Sequence, residues 1–405
     1  MIRKNGKTLH QKEPIFQSSH FWIIYFVFSL ALVFHVIGHK YPPILIKQEK
    51  EIYECFQNFV KGKVLLDNKP LSGRFLLYIP YSFLIKDTES EFPKNWQYLR
   101  LINAIIGSFY APLITASLIL FKFSPFTSCV AGILLSLDGS SLVATKLYTT
   151  DSLLLLFISL TIFLGILAER TNINFLREIQ GIFTVLACVT DTLGLVAFFY
   201  FIFVNNRYFK SLQSAVSMFL IFFTIELILK SQFSDDIKIK LPDDATFKEQ
   251  IALTIQLIRL QYNPVTDFAE AFYWNLVKLR PTTLWVNDLP NMAQRHVAVH
   301  NVPVVIGVSL ACLFGILKKE SVFFWMTIVI TWIFKERNVM NYHVALMFGV
   351  IALTAVFEKI NEIMQKMMLI TFCVVALVFF TFFYPWEFAL SIDFQLDYTL
   401  NIWNM

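Results

Sequence analysis

The sequence predicts an all-α polytopic membrane protein of about eleven transmembrane helices, and three observations lead there. Of the 405 residues, 56% are hydrophobic and 43 are Phe. Only 16% are Asp, Glu, Lys or Arg, where a soluble domain carries about 25%, and the mean hydropathy is +0.59. The apolar residues also fall in runs, such as Phe21–Gly38, Leu101–Leu120, Leu147–Ile166, Ile182–Val204, Ala345–Phe357 and Met367–Phe383. Runs of about 17 to 25 residues match the hydrocarbon core of a bilayer. A membrane barrel would show alternating segments of about ten residues instead.

Net charge is only +5, which gives no support to a nucleic-acid partner. Cys55, Cys129, Cys188, Cys312 and Cys373 are scattered, with no CxxC or CxxH pair. They read as small apolar residues rather than a disulfide framework or a zinc site. The basic opening MIRKNGKTLHQK precedes a long run without a small-residue cleavage site, so residues 21–38 are expected to stay as a first span.

The expected spans are 21–38, 99–120, 125–140, 147–167, 179–190, 192–204, 212–229, 301–317, 320–334, 341–358 and 367–385. Only Thr190, Asp191, Thr192 and Gly194 divide the fifth from the sixth, and one tilted span over 182–204 is the alternative. The distribution of Lys and Arg decides between them. With a cytosolic N-terminus, eleven spans put Lys122, Arg170 to Arg177, Arg207 with Lys210, Lys318 with Lys319, and Lys359 with Lys366 on the cytosolic side. A single span at 182–204 would reverse the later loops.

The chain divides accordingly. Residues 1–20 form a cytosolic tail, 21–229 a first membrane block with a non-cytosolic loop at 39–98, and 230–300 a second such loop. Four spans over 301–385 and a tail at 386–405, which ends opposite the cytosol, complete it. Within the first loop, Phe75–Ile85 is too short to span and suits a helix lying along the interface. The second loop repeats apolar residues at helical spacing over Phe247–Leu260, and Leu284–Trp285 is placed at the interface. Short helices are expected there.

Ionisable residues at the rims of apolar runs are the functional candidates. Asp138, Lys146 and Asp151 gather in DGSSLVATKLYTTD; ordinary solvation of helix ends is the competing reading. Asp191 stands between two short spans, a placement often found beside a transport or transfer cavity. Arg337 and His343 lie in FKERNVMNYH, where a basic cluster suits a phosphate. The first loop supplies Glu49, Glu51 and Glu54, then Asp67, Lys69 and Arg74. A carboxylate set over cations is what a transferase needs: it takes the acceptor's proton while the cations stabilise a leaving phosphate.

These segments resemble the protein O-mannosyltransferase family. KQEKEIYECFQNFVKGKVLLDNKPLSGRFLL is similar to the family's first lumenal loop, with Glu49, Asp67, Pro70 and Arg74 in motif positions. Arg100, Ala104, Gly107 and Pro112 match the next block, and Asp138, Lys146, Asp151 and Ser152 the one after it. Asn301 with Pro303, and Arg337 with His343, match more distantly.

The resemblance implies a GT-C type glycosyltransferase architecture with a lumenal first loop, in the endoplasmic reticulum membrane, with a cytosolic N-terminus and a lumenal C-terminus. It implies dolichyl phosphate mannose as lipid-linked sugar donor, Ser/Thr-containing polypeptides as acceptors, and a homo- or heterodimer with a related transferase; it sets no metal requirement. Glu49, Glu51 and Asp67 become candidate catalytic residues. Arg74, Arg100, Asp138, Lys146, Asp151, Arg337 and His343 become candidates for holding the donor. The departures are Gln48 where the family has its catalytic Asp, Lys69 for His, Leu71 for Pro and Asp191 for Lys. The 230–300 loop is also too short for the family's lumenal trefoil domain. A carboxamide does not accept a proton as a carboxylate does. The alternatives are therefore a catalytically impaired partner subunit, or a transferase for another polyprenyl-phosphate sugar.

Overall fold

The computed structural model describes residues 16–61, 70–85, 95–205, 213, 216–221, 224, 282–289, 292–314, 319–333, 342–388 and 390–393. The chain begins with α1 (Ser18–Val36), α2 (Lys47–Val60) and α3 (Leu71–Leu84). It continues through α4 (Trp96–Gly107), α5 (Tyr110–Leu120), α6 (Pro125–Ser136), α7 (Gly139–Lys146), α8 (Asp151–Thr171) and α9 (Asn174–Thr190). A 3-10 turn (Thr192–Gly194) leads into α10 (Leu195–Val204). Two strands follow, β1 (Thr282–Leu289) and β2 (Met292–Ala298). Next come α11 (Val302–Phe314), α12 (Lys319–Ile333), α13 (Tyr342–Phe357), α14 (Glu362–Glu387) and β3 (Ser391–Asp393).

Among the described residues, α1, the α4–α5 run, α8 and α14 are each long and apolar enough to cross a bilayer. The pair α6–α7 passes the same criteria together but bends by 60° at its break. Shorter apolar helices cover 192–204, 302–314, 321–330 and 342–357. Every expected span except 212–229, which lies largely outside the described residues, coincides with one or more of these helices or with α9. The polytopic, mainly helical class is thus the observed one, with a small sheet added to it.

The segment 174–204 is a hairpin of two helices. Asp191 is extended, at φ −156° and ψ 156°, and its carboxylate accepts from Leu193 N at 3.0 Å to start the 3-10 turn. The chain then returns along α9. At the far end Arg177 Nη1 donates to Asn205 Oδ1 at 2.9 Å, and Asn205 Nδ2 donates to Gln180 Oε1 at 2.9 Å. The first residues of α9 and the residue after α10 therefore meet, which excludes one continuous tilted span. Asp191, the reversed charge of the sequence comparison, is accounted for locally as this cap.

Other contacts gather at the end where α9 begins. Arg170 Nε donates to Leu120 O at 2.8 Å, and Ser124 N donates to Glu358 Oε1 at 2.8 Å. Gln365 Nε2 donates to Thr127 Oγ1 at 2.9 Å. The starts of α6, α9 and α14 and the finishes of α5, α8, α10 and α13 thus share one end of the bundle. The opposite end receives the first loop, α7 and the strands.

A small antiparallel sheet in the order β1-β2-β3 sits at that opposite end. Thr282 pairs with Ala298 and Leu289 with Met292, while Met292 pairs with Asp393 and Gln294 with Ser391. Alternation along β2 sets its two contacts. Val297 and Val299 pack on Phe383 and Trp386 of α14, and Ala298 packs with Ile46, Val143, Ala144 and Leu147. Short helices were expected across 230–300; residues 282–298 form strands instead. TTLWVNDL is rich in β-branched and aromatic residues, and its sheet is completed by β3, far away in sequence. The helical expectation for 247–260 lies outside the described residues.

The turn at 191–194 depends on a close approach. A Cβ at Gly194 would overlap the Ala187 carbonyl and the Cys188 amide. Gly194→Ala is expected to destabilise the protein by about 1–3 kcal/mol, seen as a lower unfolding temperature in detergent. An unchanged temperature would mean that the hairpin does not need this contact.

Candidate functional site

The first loop is fastened by a buried ion pair. Glu49, in the first turn of α2, and Arg100, on α4, are 0% and 1% exposed. Glu49 Oε1 accepts from Arg100 Nε at 2.8 Å, Tyr148 N at 3.0 Å and Trp96 Nε1 at 3.2 Å. Its Oε2 accepts from Arg100 Nη2 and from Ile46 N. Arg100 also donates to the carbonyls of Pro42 and Ile44. One side chain of α4 thereby holds residues 42–49, and the same carboxylate holds the segment after α7. Trp96 packs edge-on against Tyr53 and Tyr148, so the pair is walled by aromatic rings.

Helix α7 is buried along its whole length. Asp138 caps it: Oδ2 accepts from Ser141 N at 3.0 Å and from Ser141 Oγ at 2.6 Å. Oδ1 accepts from Asn301 N at 2.9 Å and lies 3.0 Å from His300 Nδ1. Asn301 Nδ2 donates onward to Leu137 O and Ala376 O, tying the start of α11 to α6 and α14. Asn103, on α4, donates to the carbonyls of Leu147 and Thr149 as the chain leaves α7.

Lys146 stands seven positions after Gly139, which places both on one face of α7. That face meets the end of α14. A Cβ at Gly139 would overlap the Glu387 carboxylate, and Lys146 Nζ stands 3.2 Å above the centroid of the Phe388 ring. Lys146, His296, His35 and Glu387 are each no more than 1% exposed. Lys146 Nζ, both ring nitrogens of His296, His35 Nε2 and Glu387 Oε2 have no hydrogen-bond partner among the described residues. His35 Nδ1 lies 2.7 Å from the Ala31 carbonyl, so the neutral ring donates there and Nε2 carries the lone pair. Burial, and then the charges of Lys146 and Arg100, push the His296 imidazole down to about 3, so it is neutral at physiological pH. Buried polar groups are normally paired; here Lys146 offers a donor to an oxyanion, and the lone pair of His35 Nε2 and the Glu387 oxygen offer acceptors to the hydroxyls of a sugar.

The structure brings Glu49 together with Arg100, and sets Asp138 and Lys146 at the two ends of α7, at the same end of the bundle. Asp151 opens α8 and accepts from Thr149 Oγ1 at 2.7 Å. Arg74 is buried on α3, His343 is buried at the start of α13, and Glu51 is exposed on α2. Asp67 and Arg337 lie outside the described residues. Among the described residues no three His, Cys, Asp or Glu side chains are grouped to hold a metal ion. Sequence reasoning missed His35, His296, His300 and Glu387. His35 had a legible signal, an imidazole inside an apolar span. The other three depend on how distant segments meet.

The fold and site define a polytopic, mainly helical membrane protein with a cluster of ionisable groups buried at one end. The chain belongs to the dolichyl-phosphate-mannose-protein mannosyltransferase family, whose model matches residues 23–229. Among solved structures it is similar in fold to a chain of the Saccharomyces cerevisiae protein O-mannosyltransferase Pmt1–Pmt2 complex bound to the sugar donor. That match has a TM-score of 0.75 at 11% identity and covers 95% of this chain and 92% of the other. No curated protein matches by sequence.

Two measurements test the site's construction. Glu49→Gln leaves Arg100 buried without its counter-charge and is expected to cost about 3–5 kcal/mol of stability, with a correspondingly lower unfolding temperature. His296 is held below its unfolded value of about 6.5, so the stability it contributes is full above that pH and is lost as pH falls toward 3. A His296→Gln variant is expected to lose less stability than wild type between pH 6.5 and 4, measured by unfolding at a series of pH values.

Proposed function

We propose that this protein transfers mannose from dolichyl phosphate mannose to Ser or Thr hydroxyls of secretory-pathway proteins. The observation that carries this beyond family membership is Lys146. Its ammonium is buried beside neutral His296 and has no hydrogen-bond acceptor among the described residues. A phosphate oxygen supplies both a counter-charge and the missing acceptor.

The reaction is an inverting displacement. The acceptor oxygen attacks C1 of mannose, the bond from C1 to the phosphate oxygen breaks, and the phosphate leaves with the electron pair. Lys146 stabilises that charge where it develops, and Arg337 keeps the donor role that the family resemblance gives it. The hydroxyl proton goes to a carboxylate. Glu49 accepts five hydrogen bonds and has no exposed surface, so we assign it the positioning of the loop rather than proton transfer. Glu51 follows Gln48 by three residues on the same face of α2 and is exposed. A helical side chain covers the turn before it, so Glu51 reaches the place that the family's Asp would occupy. Asp67 is the second candidate. Arg100 and Asp138 join Glu49 as residues that build the site, whereas Arg74, Asp151 and His343 keep the donor-holding role that the family resemblance gives them.

The same proposal places the chain in the endoplasmic reticulum membrane, with the site end and the C-terminal tail lumenal. Arg170 and Arg177 belong to the end opposite the site, as do Lys359 and Lys366 beside Glu358 and Gln365. That distribution follows the positive-inside rule. A related transferase chain is the proposed dimer partner.

The test is transfer of labelled mannose to a Ser/Thr-rich peptide by the purified chain, alone and with any co-purifying relative. Lys146→Met is expected to raise the donor KM by about 10- to 100-fold, the worth of a charged hydrogen bond. Glu51→Gln is expected to lower kcat by about 10²–10⁴ with little change in donor KM. No transfer under either condition, beside an active control, overturns the activity. Full turnover by Glu51→Gln moves the proton acceptor to Asp67.

A further inference from the structure

Two buried groups beside Lys146 take no part in the transfer described above. His35 lies near the end of α1 and Glu387 ends α14, and both are enclosed. His35 Nε2 and Glu387 Oε2 have no hydrogen-bond partner among the described residues. Phe388 links them to the lysine. Its ring lies 3.2 Å from Lys146 Nζ, and it packs where Gly38, three residues beyond His35, has no side chain. Glu387, the residue before it, takes the space left by Gly139 on the first turn of α7. The His35 ring meets Tyr110 edge-on with 6.0 Å between centroids, but Tyr110 Oη donates to Leu135 O at 2.6 Å. A phenol has one proton to donate, so Tyr110 has none left for His35. The orphaned atoms also differ in kind. Lys146 Nζ only donates, whereas His35 Nε2 only accepts, because the neutral ring gives its Nδ1 proton to Ala31 O.

We propose that His35 and Glu387 form the sugar subsite of the donor: His35 Nε2 accepts from one hydroxyl of the mannosyl group, and the Glu387 carboxyl bonds a second. This rests on the assignment of Lys146 to the donor phosphate, and extends it from the charge of the donor to the identity of its sugar. A phosphodiester has acceptor oxygens and no O–H, so it answers Lys146 but leaves His35 unanswered. The sugar beside it supplies the missing donors. A hydroxyl both donates and accepts, so it suits Glu387 whether that carboxyl is ionised or protonated. Phe388 fills the space between the end of α1 and the lysine, and its phenyl ring turns aside as the six-membered sugar ring takes that place. A sugar that lacks the right hydroxyl leaves a buried acceptor unpaired, and this penalty selects the donor. His35 and Glu387 are specificity residues; neither receives the proton of the attacking hydroxyl.

The experiment measures kcat/KM for transfer to a Ser/Thr-rich peptide by the full-length protein, from dolichyl phosphate mannose and from its 2-, 3-, 4- and 6-deoxymannose analogues. Wild type is expected to use at least two of the analogues about 10- to 100-fold less well. His35→Phe, which keeps a ring and removes the acceptor, should lose the discrimination against one of them and keep it against the other. Glu387→Met should do the same for the second hydroxyl, whereas Glu387→Gln, which still donates and accepts, should retain it. A structural role, or a buried water held by these atoms, lowers the rates for all five donors alike. Unchanged ratios in both variants overturn the proposal. Wild type alone tests it where a variant does not fold: equal use of all four analogues means that no hydroxyl is read. Binding of the same five lipids, followed as the rise in unfolding temperature, separates this proposal from the transfer reading. Discrimination in binding without transfer from any donor overturns the activity and upholds the subsite. Transfer without discrimination overturns the subsite and upholds the activity.

Discussion

A carboxylate and a guanidinium removed from water together hold this site in place. Glu49 and Arg100 are fully enclosed, and between them they engage the backbone at residues 42, 44, 46 and 148 and the indole of Trp96. Neither charge is tolerable there alone, because desolvation of an unpaired ion outweighs any packing it gains. The pair therefore works as a clasp between the first loop, α4 and the outlet of α7. Everything chemical in the molecule is measured from that clasp: Gln48 and Glu51 are carried on the helix it starts, and Lys146 precedes the segment it fixes.

Much of this was legible in the sequence, and what was not has physical reasons. The spans were legible because a bilayer demands continuous apolar length. The division of 174–204 was legible only through its consequences for the later basic loops, since four small or polar residues are a faint signal. The structure supplies the local cause, an Asp191 cap and a glycine that lets the returning helix touch α9. The stretch from Asp138 to Asp151 read as a polar turn because it is rich in Ser and Thr. In a protein interior those side chains bond back to their own helix, as Thr145 does to Ser141 O at 2.9 Å, so polarity did not mean exposure. The hairpin at 282–298 was hidden for another reason: strand pairing depends on residues distant in the chain, whereas helical periodicity is local.

The site followed the same division. Glu49, Arg100, Asp138 and Lys146 stand at motif spacings, which is why the sequence singles them out. Their neighbours His296, His300 and Glu387 come from segments whose approach no periodicity encodes. The family position for the catalytic Asp holds Gln48, and no carboxylate replaces it at that position. The structure narrows the problem by showing that its neighbour Glu49 is already committed to Arg100.

The sheet that joins β2 to β3 has a consequence in time. Lys146 emerges from the ribosome early, together with most of the clasp, while the residues that surround and cover it, His296, Glu387 and Phe388, are made late. Strand β3 then secures the hairpin whose far end lies over α7. During synthesis the lysine is therefore present before the residues that enclose it. The pocket is the last part of the molecule to close, so a nascent chain acquires its chemistry only when its final helix has docked.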